Sequence, residues 1–133
     1  MTVSATGGIT LATAASKVVA GLSYTAQFKS NKLATITGPA GLNVKRIITQ
    51  LGVVLRNTHY QGLQYGPNFT DLSDLPQVED GAILADDTVH SHYDEETFPF
   101  GGDWDTDSRL CLQAKSPRPC TLLAATGEVE SHK

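Results

Sequence analysis

The chain has 133 residues and a net charge of −4, and 40% of its residues are hydrophobic. This size predicts one domain with one hydrophobic core that folds without staples. Residues 1–15 lack the basic head and apolar run of a signal peptide, and no stretch approaches the ~18 apolar residues of a membrane-spanning helix, so neither export nor a membrane span is expected.

The first third of the chain is predicted to form short strands. Two of them are expected over residues 7–12 and 17–22, separated by a turn of small residues. Tyr24 to Lys29 alternates with period two, which is typical of a half-buried strand. The run Thr37-Gly38-Pro39-Ala40-Gly41 is a strong breaker and predicts a turn.

The segment from Val44 to Leu55 is compatible with two secondary structures. One face of a helix would carry Val44, Ile47, Ile48, Leu51, Val54 and Leu55. One face of a strand would carry Ile47, Thr49, Leu51, Val53 and Leu55. Because Gly52 lies in the middle and the segment is rich in β-branched residues, we predict a strand, with a bulge.

The second half of the chain continues the strand pattern. A return strand is expected over 62–65, then a long acidic connection over 66–87, then an edge segment or turn over 98–102. Residues 109–114 and 120–129 are predicted to form a closing hairpin. Seven or eight short strands and 15 threonines indicate an all-β chain. We predict an antiparallel β-sandwich, Ig-like or jelly-roll-like, with a long irregular acidic connection.

The two cysteines, Cys111 and Cys120, lie nine positions apart. The spacing suits facing arms of a hairpin, so a disulfide is geometrically conceivable. Two reduced, half-buried thiols are the favoured alternative.

Two clusters contain residue types that can bind metal ions. His90 and His92 would lie on one face of a strand with Asp94, but no third or fourth ligand is fixed by spacing. The carboxylates of Asp103, Asp105 and Asp107 resemble the opening of a calcium loop and are weak candidates for metal ligands. Ser108 replaces the glycine of the sharp turn, so an exposed acidic turn is the favoured interpretation. We expect no metal and no cofactor.

No sequence signal indicates an enzyme. The acidic clusters have no nucleophile elbow, phosphate-binding glycine loop or Cys–His signature beside them. Most aromatic residues follow position 59, among them Trp104. Exposed aromatics and acids on a sandwich would suit a carbohydrate-binding module, but anchoring of long loops onto the core is the simpler explanation.

Charge is distributed very unevenly along the chain. Residues 1–56 carry six basic side chains and no acid, whereas residues 57–108 carry twelve acids and no Lys or Arg. Two such regions could dock between copies or neutralise each other within one domain. The acidic balance also argues against specific readout of DNA, since proteins that grip DNA present clustered Lys and Arg.

Several segments resemble, in order, the C-terminal domain of the tail nozzle protein of short-tailed bacteriophages, a family also called tail tubular protein B or packaged-DNA stabilisation protein. The resemblance runs from about Gly8 to Glu130 and is carried by residues 21–25, 45–47, 62–66, 75–76, 102–109 and 117–124. Within it, GDWDTDSR at 102–109 and PRPCTLLA at 117–124 are the strongest matches.

The resemblance implies a structural virion protein of the tail, without catalytic residues. Family members are much larger, so this chain would be the C-terminal piece of such a protein or a separately encoded relative. They assemble as a ring through which the genome is ejected, so the expected partners are other copies and other tail proteins, with DNA passing through and the isolated domain compatible with a monomer. The interface candidates are Lys45, Arg46, Asp71, Asp74 and Trp104.

Overall fold

The computed structural model describes residues 3–33, 43–94 and 97–132, and every regular element in these ranges is a β-strand. The predicted all-β, antiparallel sandwich is therefore confirmed. The predicted turn over 37–41 lies outside the described residues. The strands are β1 (Thr25–Lys29), β2 (Arg46–His59), β3 (Leu63–Asn68), β4 (Asp71–Asp74), β5 (Val78–Glu79), β6 (Ala82–Ile83), β7 (Val89–Tyr93), β8 (Thr97–Pro99), β9 (Cys111–Lys115) and β10 (Thr121–Ser131).

Two antiparallel sheets form the two layers. The first sheet has the order β1-β9-β3-β4, and the second has the order β10-β2-β7, with β8 also paired to β2. Strands β5 and β6 form a small separate hairpin. Its two-residue turn is Asp80-Gly81, and both residues have positive φ, which is the turn geometry that matches strand twist in a hairpin.

The core lies between the two sheets. Strand β2 contributes Leu51, Val53 and Leu55, and the opposing sheet contributes Tyr65 and Leu112, all of them buried. The rings of Tyr65 and Phe98 meet at 4.7 Å between centroids, which joins the two layers through an aromatic pair.

A bulge in β2 explains why its sequence suited both a helix and a strand. Gln50 pairs with Glu128 and Ile48 pairs with Val129, so Thr49 is an extra residue on β2. A bulge shifts the side-chain alternation by one position. Ile48 therefore joins Leu51 on the buried face, three positions away, and imitates helical spacing. The predicted strand and bulge are confirmed, and the bulge lies at Thr49.

The strand predictions for 24–29 and 62–65 are confirmed by β1 and β3, but the expected half-burial of the first is wrong, since every residue of β1 is exposed. Residues 98–102 begin in β8, an edge strand on β2. The acidic stretch 66–87 contains the end of β3 and the short strands β4, β5 and β6.

Two predictions from the sequence are wrong. Residues 7–12 and 17–22 form no strand; Ile9 makes only an isolated bridge to Val3, because this part of the chain has no layer to pack against. The predicted closing hairpin is also absent, since β9 and β10 belong to different sheets. Strand β9 is flanked by β1 and β3, so both of its edges are occupied and β10 pairs with β2 instead.

Substitution of Leu51 tests the packing of the core. Its side chain is 0% exposed, whereas that of Leu22 is 91% exposed. We expect Leu51→Ala to lower the free energy of unfolding by about 2–5 kcal/mol, measured by urea titration, because a cavity replaces packed atoms. Leu22→Ala, measured in dilute protein, should change it by less than about 0.5 kcal/mol. Equal effects of the two substitutions would contradict the described core.

Candidate docking surface

An open apolar groove lies along one side of the sandwich. It has a volume of about 390 Å³ and runs between the edge strands β1 and β10. Phe28 and Leu110 border it from the first sheet, and Leu122 and Val129 border it from the second. Phe28 is more than half exposed, although a phenylalanine in a closed sandwich is normally buried.

The groove stays open because the side chains of β10 that face it are small. The register pairs Ala125 with Val53 and Gly127 with Leu51, so these two β10 residues share the buried face of β2. A Cβ atom at Gly127 would lie 3.6 Å from Ile48 Cγ2, an ordinary contact distance, so the glycine is not required by crowding. Small residues at both positions leave room above the core.

Strand β10 also presents a long edge. It has 11 residues and, within the described ranges, pairs only with β2. A strand edge carries unpaired backbone N–H and C=O groups and can accept another strand. An apolar groove beside such an edge has the two features needed to bind an extended segment: backbone pairing and burial of alternate side chains.

The interface candidates fall into different environments. Lys45 is exposed, but Arg46 is only 2% exposed and donates from Nη1 to the Val44 carbonyl at 3.1 Å. Arg46 is therefore part of the folded interior and, unlike Lys45, does not present its side chain to another protein. Asp71 and Asp74 are both exposed on β4, the edge strand of the first sheet farthest from the groove.

The uneven charge is partly neutralised within the chain. The ammonium group of Lys17 contacts the carboxylate of Asp87, which joins the basic first region to the acidic middle region. Both side chains are substantially exposed, so the pair adds little stability. The contact raises the pKa of Lys17 and lowers that of Asp87, in both cases mainly through the hydrogen bond between them.

Asp103, Asp105 and Asp107 lie in an exposed turn that is attached to the start of β2. Asp105 Oδ1 accepts a hydrogen bond from the Asp107 amide at 3.1 Å, and Asp107 Oδ1 accepts one from Arg109 Nε at 2.8 Å. The backbones of Asp105 and Arg46 form a bridge. Throughout the described ranges, no three His, Cys, Asp or Glu side chains are grouped as metal ligands. The carboxylates of Asp105 and Asp107 therefore stabilise the turn through these hydrogen bonds.

Trp104 is a half-exposed aromatic residue beside this turn. Its indole is 41% exposed and meets the ring of His132 edge to face, with centroids 5.6 Å apart. It does not line the apolar groove. The structure therefore separates Trp104 from the most apolar exposed surface.

His90 and His92 are not brought together as a pair of ligands. His90 is buried, with its ring 5.0 Å from that of Tyr93, whereas His92 is exposed. Nδ1 of His90 lies 3.6 Å from a carboxylate oxygen of Glu79, which connects β7 to the β5–β6 hairpin. The two imidazoles therefore differ in burial, although β7 pairs with β2 without a register shift between them.

Both cysteines are free thiols. Cys111 is buried and its Sγ donates to the Pro67 carbonyl at 3.6 Å, while Cys120 is half-buried beside the core. Because β9 and β10 lie in different sheets, the hairpin that would have brought the thiols together does not exist. Burial raises the pKa of both thiols.

The sequence alone does not predict the groove. Its lining comes from strands far apart in the chain, which no local pattern connects. The signal present was the small residues Ala124, Ala125 and Gly127 in an otherwise strand-forming segment, which leave little side-chain volume at an edge.

Comparison with known proteins finds no match, neither to a family model nor to a curated protein. Within residues 3–33, 43–94 and 97–132, no helix is long and apolar enough to cross a membrane.

The buried thiols predict a loss of stability at alkaline pH. The folded pKa of Cys111 is raised, so as pH rises past the thiol pKa of the unfolded chain, ~8.5, the unfolded state loses its proton first and becomes favoured. The urea midpoint should therefore fall between about pH 7.5 and pH 10. It should fall less in Cys111→Ala, whose pH profile serves as the control, and identical profiles would contradict the assigned burial of the thiol.

Proposed function

We propose that this chain is a structural module of a short-tailed bacteriophage tail, located in the nozzle assembly and acting through protein–protein contacts. The observation that carries the proposal is the apolar groove beside the edge of β10 that has no partner strand in residues 3–33, 43–94 and 97–132. The resemblance to the C-terminal domain of the tail nozzle protein adds the location. Together they suit a domain whose outer surface is used for docking.

The groove favours docking over chemistry because its lining is almost entirely aliphatic. An enzyme site needs polar groups that converge on a reacting atom. A more polar cavity of about 290 Å³ in the described part of the chain has Asp105, Asp107 and Arg109 in its lining, and these side chains are engaged in ordering the turn. Surface chemistry of this kind fits an assembly role, with no catalytic residues.

The charge of the chain is compatible with a conduit for DNA. Exposed carboxylates such as Asp71 and Asp74 would repel phosphates, and a genome that must slide during ejection needs weak contacts. Under this proposal the chain retains and releases DNA as part of a ring and reads no base sequence.

Electron microscopy of phage particles that carry this gene tests the location. Antibodies raised against the purified chain should label the distal end of the tail, and matched antibodies against the capsid protein should label only the head. Absence of tail label on intact particles that contain the chain, verified by mass spectrometry, would contradict the proposal.

A receptor- or carbohydrate-binding module at the tail tip is the second candidate, favoured by the half-exposed indole of Trp104. Its edge contact with His132 holds the ring in place, as a stacking surface for a sugar requires. If this function holds, glycan-array binding by the chain should be lost in Trp104→Ala and kept in Leu123→Ala, which removes an exposed apolar side chain elsewhere. No binding by the unmodified chain would eliminate this candidate.

A further inference from the structure

The N-terminal arm, residues 3–24, leaves strand-forming sequence without a partner strand. The sequence of residues 17–22 favours a strand, yet these residues pair with no strand in the described part of the chain. Val18 is 57% exposed and Leu22 is 91% exposed. From Lys17 to Tyr24 the arm runs without a turn or bend into β1. It is an apolar, extended segment that lies open to solvent.

One side of the arm is held on its own domain. A Cβ atom at Gly21 would lie 2.9 Å from Pro117 Cβ, so the arm passes closely over Pro117 at this point. The Leu22 carbonyl accepts a hydrogen bond from Ser116 Oγ at 3.2 Å. In an extended segment, alternate side chains point to opposite sides. With Gly21 against Pro117, the side chains of Ala20 and Leu22 point away from their own domain.

The groove has the complementary features. The edge of β10 that no other described strand occupies offers backbone partners for an extended segment, and Ala125 and Gly127 leave space for apolar side chains above Leu51. The arm exposes apolar side chains, and the groove has an apolar lining that could bury them.

We propose that the arm of one copy adds to β10 of a second copy as an antiparallel strand. In this register Leu22 lies opposite Ala125 and Ala20 lies opposite Gly127 of the neighbour. Val18 lies opposite Val129. All three arm side chains then enter the groove, and the small residues of β10 receive the larger ones of the arm.

Charge fixes the direction of the arm. Lys17 is the one charged residue of residues 3–24, and the two charged residues of β10 are both acidic, Glu128 and Glu130. The antiparallel register places Lys17, whose exposed contact with Asp87 of its own chain contributes little stability, opposite Glu130 on the face away from the groove. The parallel direction would place Lys17 at the uncharged end of β10, so complementary charge selects the antiparallel arrangement.

The contact joins two different surfaces, an arm and a groove, so each copy offers both. Such a head-to-tail interface propagates into a ring or an open chain rather than stopping at a symmetric dimer. The inference rests on the proposed function in that it names another copy of the chain as the occupant of the docking groove.

Paired substitutions test the contact by sedimentation velocity over a wide range of protein concentration. We expect the chain to associate reversibly and Leu22→Asp to weaken association by about tenfold or more, because a carboxylate enters an apolar groove. Val19→Asp, with the opposite side-chain direction, is the matched control and should associate normally. On the groove side, Ala125→Asp should weaken association, while Thr126→Asp, which pairs with Gly52 and does not line the groove, should not.

Mixing the two weakened variants identifies the geometry. Leu22→Asp retains a groove and Ala125→Asp retains an arm, so the mixture should form a one-to-one heterodimer and nothing larger. Circular dichroism and thermal unfolding of each variant must match the unmodified chain; if Ala125→Asp unfolds, Gly127→Val, which fills the groove, takes its place.

The results separate this inference from the proposed function. A chain that is monomeric at every concentration, weakening by the control substitutions, or a mixture without heterodimer would overturn arm exchange. Tail labelling by antibodies would be unaffected by those results. Conversely, labelling could fail while the heterodimer forms, which would overturn the virion assignment alone.

Discussion

The pairing of β2 is the constraint on which the rest of the structure depends. This strand has 14 residues and pairs with β10, β7 and β8, so both of its edges are used. Its buried residues Leu51, Val53 and Leu55 form one wall of the core. Gly52 makes the close pairing possible, since a Cβ atom there would lie 2.8 Å from Thr126 Oγ1. Without β2 the second sheet has no centre and the first sheet has no opposing layer.

The groove results from the way in which the strands are divided between the two sheets. Strand β9 is enclosed by β1 and β3, so the chain must cross to the second sheet before β10 can pair. The short connection from β9 to β10 contains Pro117 and Pro119, which cannot donate backbone hydrogen bonds to a ladder. The crossing leaves β1 and β10 as facing edges of the two layers. The space between them is apolar because both strands turn core-type residues toward it.

Several charged side chains make contacts within their own chain that stabilise local structure. Arg46 lies inside the fold, the acidic turn is ordered by its own carboxylates, and Lys17 is paired with Asp87 across the boundary between the basic and acidic regions. The strong charge asymmetry of the sequence is therefore reduced in three dimensions. Apolar surface, in the groove and on the arm, becomes the better indicator of where another protein binds, because its burial contributes free energy with few geometric requirements.

The sequence by itself determined the all-β class, the strands β1, β2 and β3, and the bulged character of β2, because alternation and β-branched composition act over a few neighbouring residues. It did not determine which strands pair. The hairpin expected between β9 and β10 and the strands expected in the arm both depended on partners far along the chain. Pairing, burial of Arg46 and the open groove were decided only by the tertiary structure. They arise from competition among strands for the edges of β2 and β9, and no local pattern of residues encodes which strand occupies an edge.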